Sequence, residues 1–182
     1  MFKNLKILTD KDPLLRKKCE DVDLPLSEED RKTILEMYEY VKASQEDEII
    51  EKYDIRPGIG IAAPQIGILK NMFAIHLEDN DKVYRYALVN PVLVSYSVQL
   101  SFLETGEGCL SVPTDKEGYV YRYKKVTIKA YDALTDKEVT IKANGMLAIA
   151  LQHELDHLSG ILYYDRIDKK EPYKIIKDAH PV

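Results

Sequence analysis

Helical and alternating patterns of apolar residues divide the chain into a few predicted elements. From Ser27 the sequence carries acidic residues in its first turn and repeats Ile34, Tyr38 and Val41 at helical spacing, which predicts an amphipathic helix capped by the serine. Period-two alternation predicts strands. We expect these strands at residues 72–77, 83–89, 92–103, 119–132 and 138–142, with a break at Asn90-Pro91 and a hairpin turn at 134–137.

A second helix is predicted late in the chain, over residues 145–159. Asn144 is the expected cap, and Gly160 stands just beyond the end, where a left-handed residue is easiest to accommodate. Apolar residues run nearly all round this helix, so it should be buried. An early helix, several antiparallel strands and a late buried helix together predict an α+β fold. We expect antiparallel or mixed sheets wrapped around the central helix.

Length and composition predict a single soluble domain over residues 1–182. The charged stretch at about 45–57 is interpreted as a helix extension or a surface insertion, and a short tail covers about 169–182. With 45% hydrophobic and 31% charged residues, the chain is neither a disordered segment nor a membrane protein. A net charge of −5 argues against general binding to DNA or RNA.

The two cysteines, Cys19 and Cys109, do not form a disulfide framework, so a reducing cytoplasmic compartment is expected. The N-terminal segment lacks the apolar stretch of a signal peptide. Cys19 lies on a polar stretch and is assigned no role. A basic cluster near the end of the chain is interpreted as a solvated face rather than an RNA contact; it comprises Arg166, Lys169, Lys170, Lys174 and Lys177.

The late helix contains a short motif that predicts a metal site. In the sequence HELDH, His153 and His157 are four residues apart, so both imidazoles project from one face and can hold a single ion. Glu154 falls beside them, where it can face a water molecule on the metal. The alternative, two surface histidines on an ordinary helix, is weakened because this helix is expected to be buried.

A catalytic site usually takes three protein ligands, so a third ligand is required. The extended motif HExxHxxGxxH does not supply it, because Tyr163 stands at the position of the final histidine. An upstream donor is favoured, and Cys109 between flexible glycines is the best one. A small buried core residue remains the alternative for this cysteine. The downstream candidates, none on a clear second helix, are Asp165, Asp168, Glu171, Asp178 and His180.

A glycine-rich segment forms the third cluster, running from Gly58 to Gln65. Its glycines permit close approach of a ligand to the backbone, and Gln65 offers a side-chain amide donor. The segment lacks the lysine and hydroxyl residue that end a phosphate-binding loop, and taken alone it is a weak indication of any function.

Together the three clusters resemble the bacterial-type peptide deformylases, which carry GxGxAAxQ, EGCxS and HExDH motifs in this order. The resemblance spans roughly residues 5–168, and the charged insertion and short tail are similar to the Gram-positive-type branch, whose tail tends to be a strand. The matching positions are Gly58, Gly60, Ala62, Ala63, Gln65, Glu107, Gly108, Cys109, Ser111, His153, Glu154, Asp156 and His157.

The resemblance implies a metal-dependent hydrolase that removes the N-formyl group from the initiator methionine of nascent chains. It implies that Cys109, His153 and His157 hold one divalent ion, with Fe2+ favoured and Zn2+, Ni2+ or Co2+ as substitutes. The resemblance is compatible with a transient association with the ribosome. It does not imply a ribosome-docking helix at the C-terminus. Glu154 would move the proton between the attacking water and the leaving amine.

The resemblance also implies how the substrate is held. The Gln65 amide and the Leu110 backbone N–H would stabilise the oxygen of the tetrahedral intermediate. An extended peptide would lie beside Ile59 and Gly60, and Glu107 is placed with the residues that bind substrate.

Two further predictions follow from charge and helical geometry. Asp156 needs a partner in a buried helix, and we predict that Arg122 forms an ion pair with it and so orients the helix. Met146 and Ile149 project from the same face as His153 and are expected to line an apolar pocket for the methionine side chain, the alternative being ordinary core packing.

Two other functions remain open from the sequence. A metallopeptidase of another type would cleave internal peptide bonds but lacks its downstream ligand. A non-enzymatic metal-binding domain would need a fourth protein ligand to close the site. The only other histidines, His76 and His180, lie outside the motifs.

Overall fold

The computed structural model describes residues 3–182; residues 1 and 2 of the predicted domain lie outside this part. Its helices are α1 (Glu28–Ala43), α2 (Asp47–Tyr53) and α3 (Gly145–Leu158). Short 3-10 helices cover Pro13–Arg16, Ala63–Ile66 and Tyr163–Arg166. The strands are β1 (Gly60–Ala62), β2 (Met72–Asp79), β3 (Lys82–Tyr96), β4 (Leu100–Phe102), β5 (Arg122–Tyr123), β6 (Lys125–Asp132), β7 (Lys137–Asn144) and β8 (His180–Pro181).

The strands form two sheets that enclose α3. The larger sheet is antiparallel, in the order β1-β2-β3-β6-β7. The smaller sheet has the order β5-β4-β8, with β8 parallel to β4. Helix α3 contacts strands of both sheets. The predicted α+β fold, with antiparallel and mixed sheets around a central helix, is confirmed.

Strand β2 shows why the larger sheet is covered on both faces. Phe73 and Ile75 pack in the hydrophobic cluster of α3, whereas Met72 and Ala74 pack in that of α1. Successive side chains of a strand point to opposite faces. Because both faces are buried, this strand is almost continuously apolar rather than alternating.

Helix α1 begins as predicted, but the charged stretch after it is a separate helix. The Ser27 hydroxyl accepts a hydrogen bond from the Asp30 N–H at 3.1 Å, and Ile34 and Val41 are fully buried. The chain turns at Ser44, and α2 follows without any buried residue. Residues 45–57 are therefore not a continuation of α1. They form a separate surface segment, from which only the partly buried Ile55 packs against the α1 cluster among the described residues.

The predicted break at Asn90-Pro91 is a bulge inside one long strand. Asn90 adopts a φ of 50°, and the register of β3 against β6 shifts between Val89 and Val92. The Asn90 side chain accepts from the Val22 N–H and donates to the Val22 carbonyl, both at 2.8 Å. A side chain that binds this neighbouring segment allows the strand to continue past the proline.

Two predicted strands were too long because the chain changes sheets within them. The segment 92–103 leaves the larger sheet after Tyr96 and enters the smaller one as β4. The segment 119–132 likewise divides into β5 and β6 at Lys124, whose N–H binds the Gln99 carbonyl at 2.9 Å. Strand β1 was not predicted, because its three residues lie within the glycine-rich segment.

Helix α3 is buried as predicted, with ten of its fourteen residues inside. Asn144 is the N-cap residue of α3 as expected, but its side chain makes no hydrogen bond to the helix. Gly160 has a φ of 73°, and a Cβ there would lie 2.5 Å from the Arg16 carbonyl oxygen, so only glycine fits. No helix within residues 3–182 has both the length and the hydrophobicity needed to cross a bilayer.

Candidate active site

Helix α3 and the loop after β4 bring three metal-ligating side chains together. His153 and His157 lie one turn apart on α3, and Cys109 faces them from the loop. One ligand atom from each of the three lies within 4.8 Å of the others. The Cys109 Sγ is 3.3 Å from the His157 Nε2. Among the described residues, no other group of three or more His, Cys, Asp or Glu side chains is placed to hold a metal.

Glu107 fixes the orientation of His153. Its Oε2 lies 2.8 Å from the His153 Nδ1, which leaves Nε2 directed towards the other ligands. Arg122 in turn donates to both carboxylate oxygens of Glu107, at 2.5 and 2.8 Å. A carboxylate on the outer nitrogen of a ligand histidine is the usual support of a metal site. The sequence placed Glu107 with the substrate residues, and this contact was not foreseen.

The electrostatics follow from these contacts. Burial disfavours the charged form of Glu107, but the hydrogen bonds from Arg122 and His153 outweigh it and lower its pKa to about 2. Burial also opposes the charge on His153, yet its hydrogen bonds with Cys109 and Glu107 hold its pKa well above the usual value. Burial and the nearby His153 hold the pKa of His157 well below the usual value.

The predicted ion pair between Arg122 and Asp156 is present, with Nη1 and Oδ2 at 3.0 Å. Its role in orienting α3 stays a prediction. Arg166, which the sequence placed in a solvated basic cluster, also binds Asp156 through two hydrogen bonds of 2.6 Å. The buried carboxylate is thus shared by two guanidinium groups, and Arg122 connects it to Glu107.

Glu154 lies where the glycine-rich segment approaches α3 most closely. A Cβ on Gly60 would come within 2.3 Å of the Glu154 Oε1, so the second glycine of the motif makes room for this carboxylate. The Glu154 Oε2 is buried and has no hydrogen-bond partner among the described residues. Burial raises the pKa of Glu154 to about 7, the range suited to a group that exchanges a proton at neutral pH.

Gln65 spans the distance between the glycine-rich segment and the Cys109 loop. Its Oε1 accepts the Ala62 N–H at 2.8 Å, and its Nε2 donates to the Ser111 hydroxyl at 3.1 Å. The same nitrogen lies 3.6 Å from the Cys109 sulfur. The side chain is almost fully buried, so these contacts hold the amide in one orientation at the metal ligands.

A cleft of about 430 Å³ opens beside these groups. Its walls include most of the residues that the sequence assigned to catalysis and substrate binding. These are Ile59, Gly60, Gln65, Glu107, Cys109, Leu110, Met146, Ile149, His153 and Glu154.

Arg56, at the end of the charged insertion, is a cleft residue that the sequence analysis missed. It donates to the Val112 carbonyl at 2.7 Å and to the Asp115 carboxylate at 3.1 Å. The guanidinium therefore ties the insertion to the loop that carries Cys109. Nothing in the local sequence pattern indicates a contact between positions so far apart.

The remaining cysteine and histidines stand apart from the site. Cys19 is buried in the cluster around α3, and burial raises the pKa of its thiol to about 11. The His76 ring pairs with the Tyr38 hydroxyl at 3.1 Å, and His180 lies on exposed β8. Within residues 3–182 neither histidine joins the Cys109 group as a fourth ligand.

Three protein donors beside an accessible cleft are typical of a catalytic metal site, whereas a structural site is closed by a fourth donor. The fold and the site thus point to a class of protein, an enzyme with a catalytic metal centre.

Comparison with known proteins narrows this class to one family. The family model described as Polypeptide deformylase matches residues 4–173, and the chain belongs to that family. Peptide deformylase 2 of Bacillus cereus is 47% identical over 97% of this chain and 96% of its own length. Peptide deformylase 2 of Geobacillus stearothermophilus is 49% identical, again over 97% of this chain and 96% of its own length.

Solved structures agree with this assignment. The peptide deformylase of Ehrlichia chaffeensis is similar at a TM-score of 0.75 and 29% identity, covering 93% of this chain and 91% of that one. The peptide deformylase of Thermus thermophilus is similar at a TM-score of 0.73 and 28% identity, covering 92% of this chain and 88% of that one. The chain is a hydrolase that removes the N-formyl group from the initiator methionine of nascent polypeptides, and it depends on a metal ion.

Proposed function

We propose that this deformylation is carried out by one catalytic domain over residues 1–182, in which Cys109, His153 and His157 hold a single divalent metal ion. The observation that carries the proposal is the convergence of their three ligand atoms within 4.8 Å at the edge of the cleft. Glu107 supports this assignment, because its bond to the His153 Nδ1 leaves the other ring nitrogen for the metal.

A thiolate with two imidazoles suits Fe2+, Zn2+, Ni2+ and Co2+ by ligand type. We propose Fe2+ as the physiological ion, with the other three as substitutes. When bound, such an ion supplies Lewis-acid chemistry, acidifying a water molecule and polarising the formyl oxygen.

Glu154 is proposed as the group that moves the proton. Its carboxylate borders the cleft, has an unpartnered buried oxygen and is not needed as a ligand. Burial raises its pKa to about 7. At neutral pH it can therefore accept the proton of the attacking water and return it to the departing amine of methionine.

The oxygen of the tetrahedral intermediate needs hydrogen-bond donors, and we assign this role to the Gln65 amide and the Leu110 backbone N–H. The Gln65 Nε2 is held beside the Cys109 sulfur by its bond to Ser111. No described residue accepts a hydrogen bond from the Leu110 N–H. The fixed position of the Gln65 amide and the unused Leu110 N–H support this assignment.

The peptide is proposed to lie extended along Ile59 and Gly60, with the methionine side chain between Met146 and Ile149. These four residues share the cleft with Glu154. Glu107 also borders the cleft, but its carboxylate is occupied by Arg122 and His153. We therefore assign Glu107 to positioning His153 instead of binding substrate.

The partners are proposed to be formyl-methionyl nascent chains in the cytoplasm, met during a transient association with the ribosome. The activity on nascent chains supports this proposal, because nascent chains are made at the ribosome. Arg166 is not part of the proposed contact, since its guanidinium is bound to Asp156.

Two substitutions separate the proposed roles of ligand and proton carrier. Cys109→Ser should abolish tight metal binding, because the hydroxyl is a much poorer donor than the thiolate. Glu154→Gln should retain the metal, while formate release from formyl-methionyl peptides falls by about 100-fold or more. Metal content would be measured on protein purified without oxygen, alongside the activity assay.

Full metal content and activity in the Cys109→Ser variant would move the third ligand elsewhere. Loss of metal in Glu154→Gln would contradict the proton-transfer role. Cleavage of internal bonds in unformylated peptides would indicate a metallopeptidase instead.

A further inference from the structure

The outer edge of β1 faces the cleft, and the pairing of β1 with β2 determines which backbone groups are exposed there. Gly60 is opposite Ile75, and the His76 N–H donates to the Ile59 carbonyl at 2.9 Å. In an antiparallel ladder such a bond flanks a pair that exchanges no hydrogen bonds itself. The N–H and C=O of Gly60 therefore point away from β2, towards the cleft.

Two positions to either side of Gly60, side chains bind backbone groups of Gly58 and Ala62 that also point away from β2. The Gly58 N–H donates to the Ser44 hydroxyl at 3.2 Å, and the Gly58 carbonyl accepts from the Gln45 side chain at 3.0 Å. On the other side, the Ala62 N–H donates to the Gln65 Oε1 at 2.8 Å. Side chains thus take the place of a neighbouring strand on both sides of Gly60.

Gln45 is held firmly enough to act in this way. The same Nε2 donates a second hydrogen bond, of 2.8 Å, to the His76 carbonyl, so the amide bridges β2 and the residue that leads into β1. Ser44, which precedes it, is fully buried, and its hydroxyl donates to the Val41 carbonyl at 2.8 Å. The end of α1 therefore fixes the position of the Gln45 side chain at the rim of the cleft.

We propose that Gln45 is a specificity-determining residue that closes the substrate-binding edge of β1 at Gly58. A substrate backbone that pairs with Gly60 then finds no free carbonyl at Gly58, two residues away on the same edge. The enzyme reads the backbone of the first residues and makes no hydrogen bond at Gly58 to the residues that follow. This inference rests on the proposed docking of the peptide at Gly60.

A purely structural role for Gln45 predicts something different. If the side chain only joined the α1–α2 connection to the sheet, its loss would change stability or lower activity on every substrate equally. Closure of the edge predicts a change in how activity depends on the backbone N–H groups of the third and fourth substrate residues. The experiment therefore measures that dependence as a ratio within each variant, so that a general loss of activity cancels.

The substrates are formyl-methionyl tetrapeptides, unmodified or N-methylated at the third or fourth residue. In the unaltered enzyme, kcat/KM should change less than about 2-fold on N-methylation at either position. In Gln45→Ala the Gly58 carbonyl keeps only its long contact of 3.4 Å with the Ser44 hydroxyl, so it can accept a hydrogen bond from the substrate. N-methylation at one of these positions should then lower kcat/KM by about 3–10-fold, the usual effect of one hydrogen bond. Gln45→Glu, which keeps the size but lacks the donor, should behave like Gln45→Ala.

Glu46→Ala is the matched control, because Glu46 is the next exposed residue and none of the hydrogen bonds described at Gly58 involves it. This variant should behave like the unaltered enzyme. Equal ratios in Gln45→Ala and the unaltered enzyme would overturn the proposal. So would a strong N-methyl effect in the unaltered enzyme.

A second experiment tests whether the peptide docks at Gly60 at all. A thioamide at the methionine carbonyl, a weaker acceptor, should lower kcat/KM several-fold if that carbonyl pairs with Gly60. No thioamide effect would reject the docking itself, whereas a thioamide effect without the Gln45 effect would reject only the closed edge.

Discussion

At the scale of single residues, Glu107 connects the metal ligands to the rest of the protein. Its buried carboxylate binds His153 on one side and Arg122 on the other. Glu107→Gln removes the charge that orients the imidazole, so metal affinity should fall by about 10–100-fold. Competition with a chelator of known affinity measures this loss.

Glu104→Gln is the matched control for Glu107→Gln, since Glu104 is exposed three residues earlier in the same loop. Metal affinity unchanged in both variants would show that Glu107 does not support the ligand.

Ile149 allows the substrate pocket to be tested at the same scale. Its side chain is nearly fully buried but borders the cleft one turn before His153. Ile149→Phe should fill part of the space for the methionine side chain and raise KM for formyl-methionyl peptides. Inhibition by acetohydroxamate should change little, because this inhibitor has no side chain that reaches the pocket. If KM stays constant, or if both change equally, Ile149 serves only the core.

The residues that the sequence could identify are those whose spacing reflects chemistry. His153 and His157 are related by one helical turn, so their convergence could be predicted from the sequence. Gln45 contacts Gly58 and His76, and Arg166 contacts Asp156. These pairs follow no periodic spacing, and only the folded chain brings them together.

At the scale of elements, the helices whose position depends on burial were predicted correctly. The strand boundaries were predicted less well, because a side chain can replace a backbone hydrogen bond between strands. Helices α1 and α3 follow from their apolar patterns. Asn90 instead binds the Val22 backbone and carries β3 through a predicted break. The changes of sheet after Tyr96 and at Lys124 were also missed, because alternation continues unchanged whichever sheet a strand joins.

The first turn of α1 is anchored to the larger sheet by an ion pair that makes stability depend on pH. Asp30 is bound by Lys70, just before β2, and by Ser27. Burial tends to raise the pKa of Asp30, but these hydrogen bonds outweigh it and hold the pKa below its ordinary value of 3.8. A carboxylate with a lowered pKa in the folded state stabilises the protein above its ordinary pKa and loses that effect as the pH falls.

Asp30→Asn should therefore lower the free energy of unfolding at pH 7 by about 0.5–1 kcal/mol. The difference from the unaltered protein should shrink as the pH falls below 3.8. Urea unfolding at several pH values measures both effects. Glu29→Gln, an exposed change in the same turn, is the control. A difference that stays constant from pH 7 to pH 3 would rule out the ion pair as its cause.

At the scale of the whole molecule, the metal helix lies between two sheets of unequal size. The smaller sheet supplies Arg122, which joins α3 through Asp156 and the metal ligands through Glu107. This sheet is covered by the C-terminal segment. The Tyr119 N–H donates to the Pro172 carbonyl at 2.8 Å, and the Tyr119 and Tyr173 rings meet edge to face. The tail therefore supports the active site indirectly, through the strand that carries Arg122.

Two truncations test this support. Removing residues 177–182 deletes β8 and its exposed contacts with β4, so the free energy of unfolding should fall by at most about 1 kcal/mol. Removing residues 171–182 also deletes Pro172 and Tyr173, and it should cost about 2–4 kcal/mol because the cover of Tyr119 is lost. Only the longer truncation should speed release of the metal to a chelator. If the two truncated proteins lose metal at the same rate as the full chain, the smaller sheet holds Arg122 in place without help from the tail.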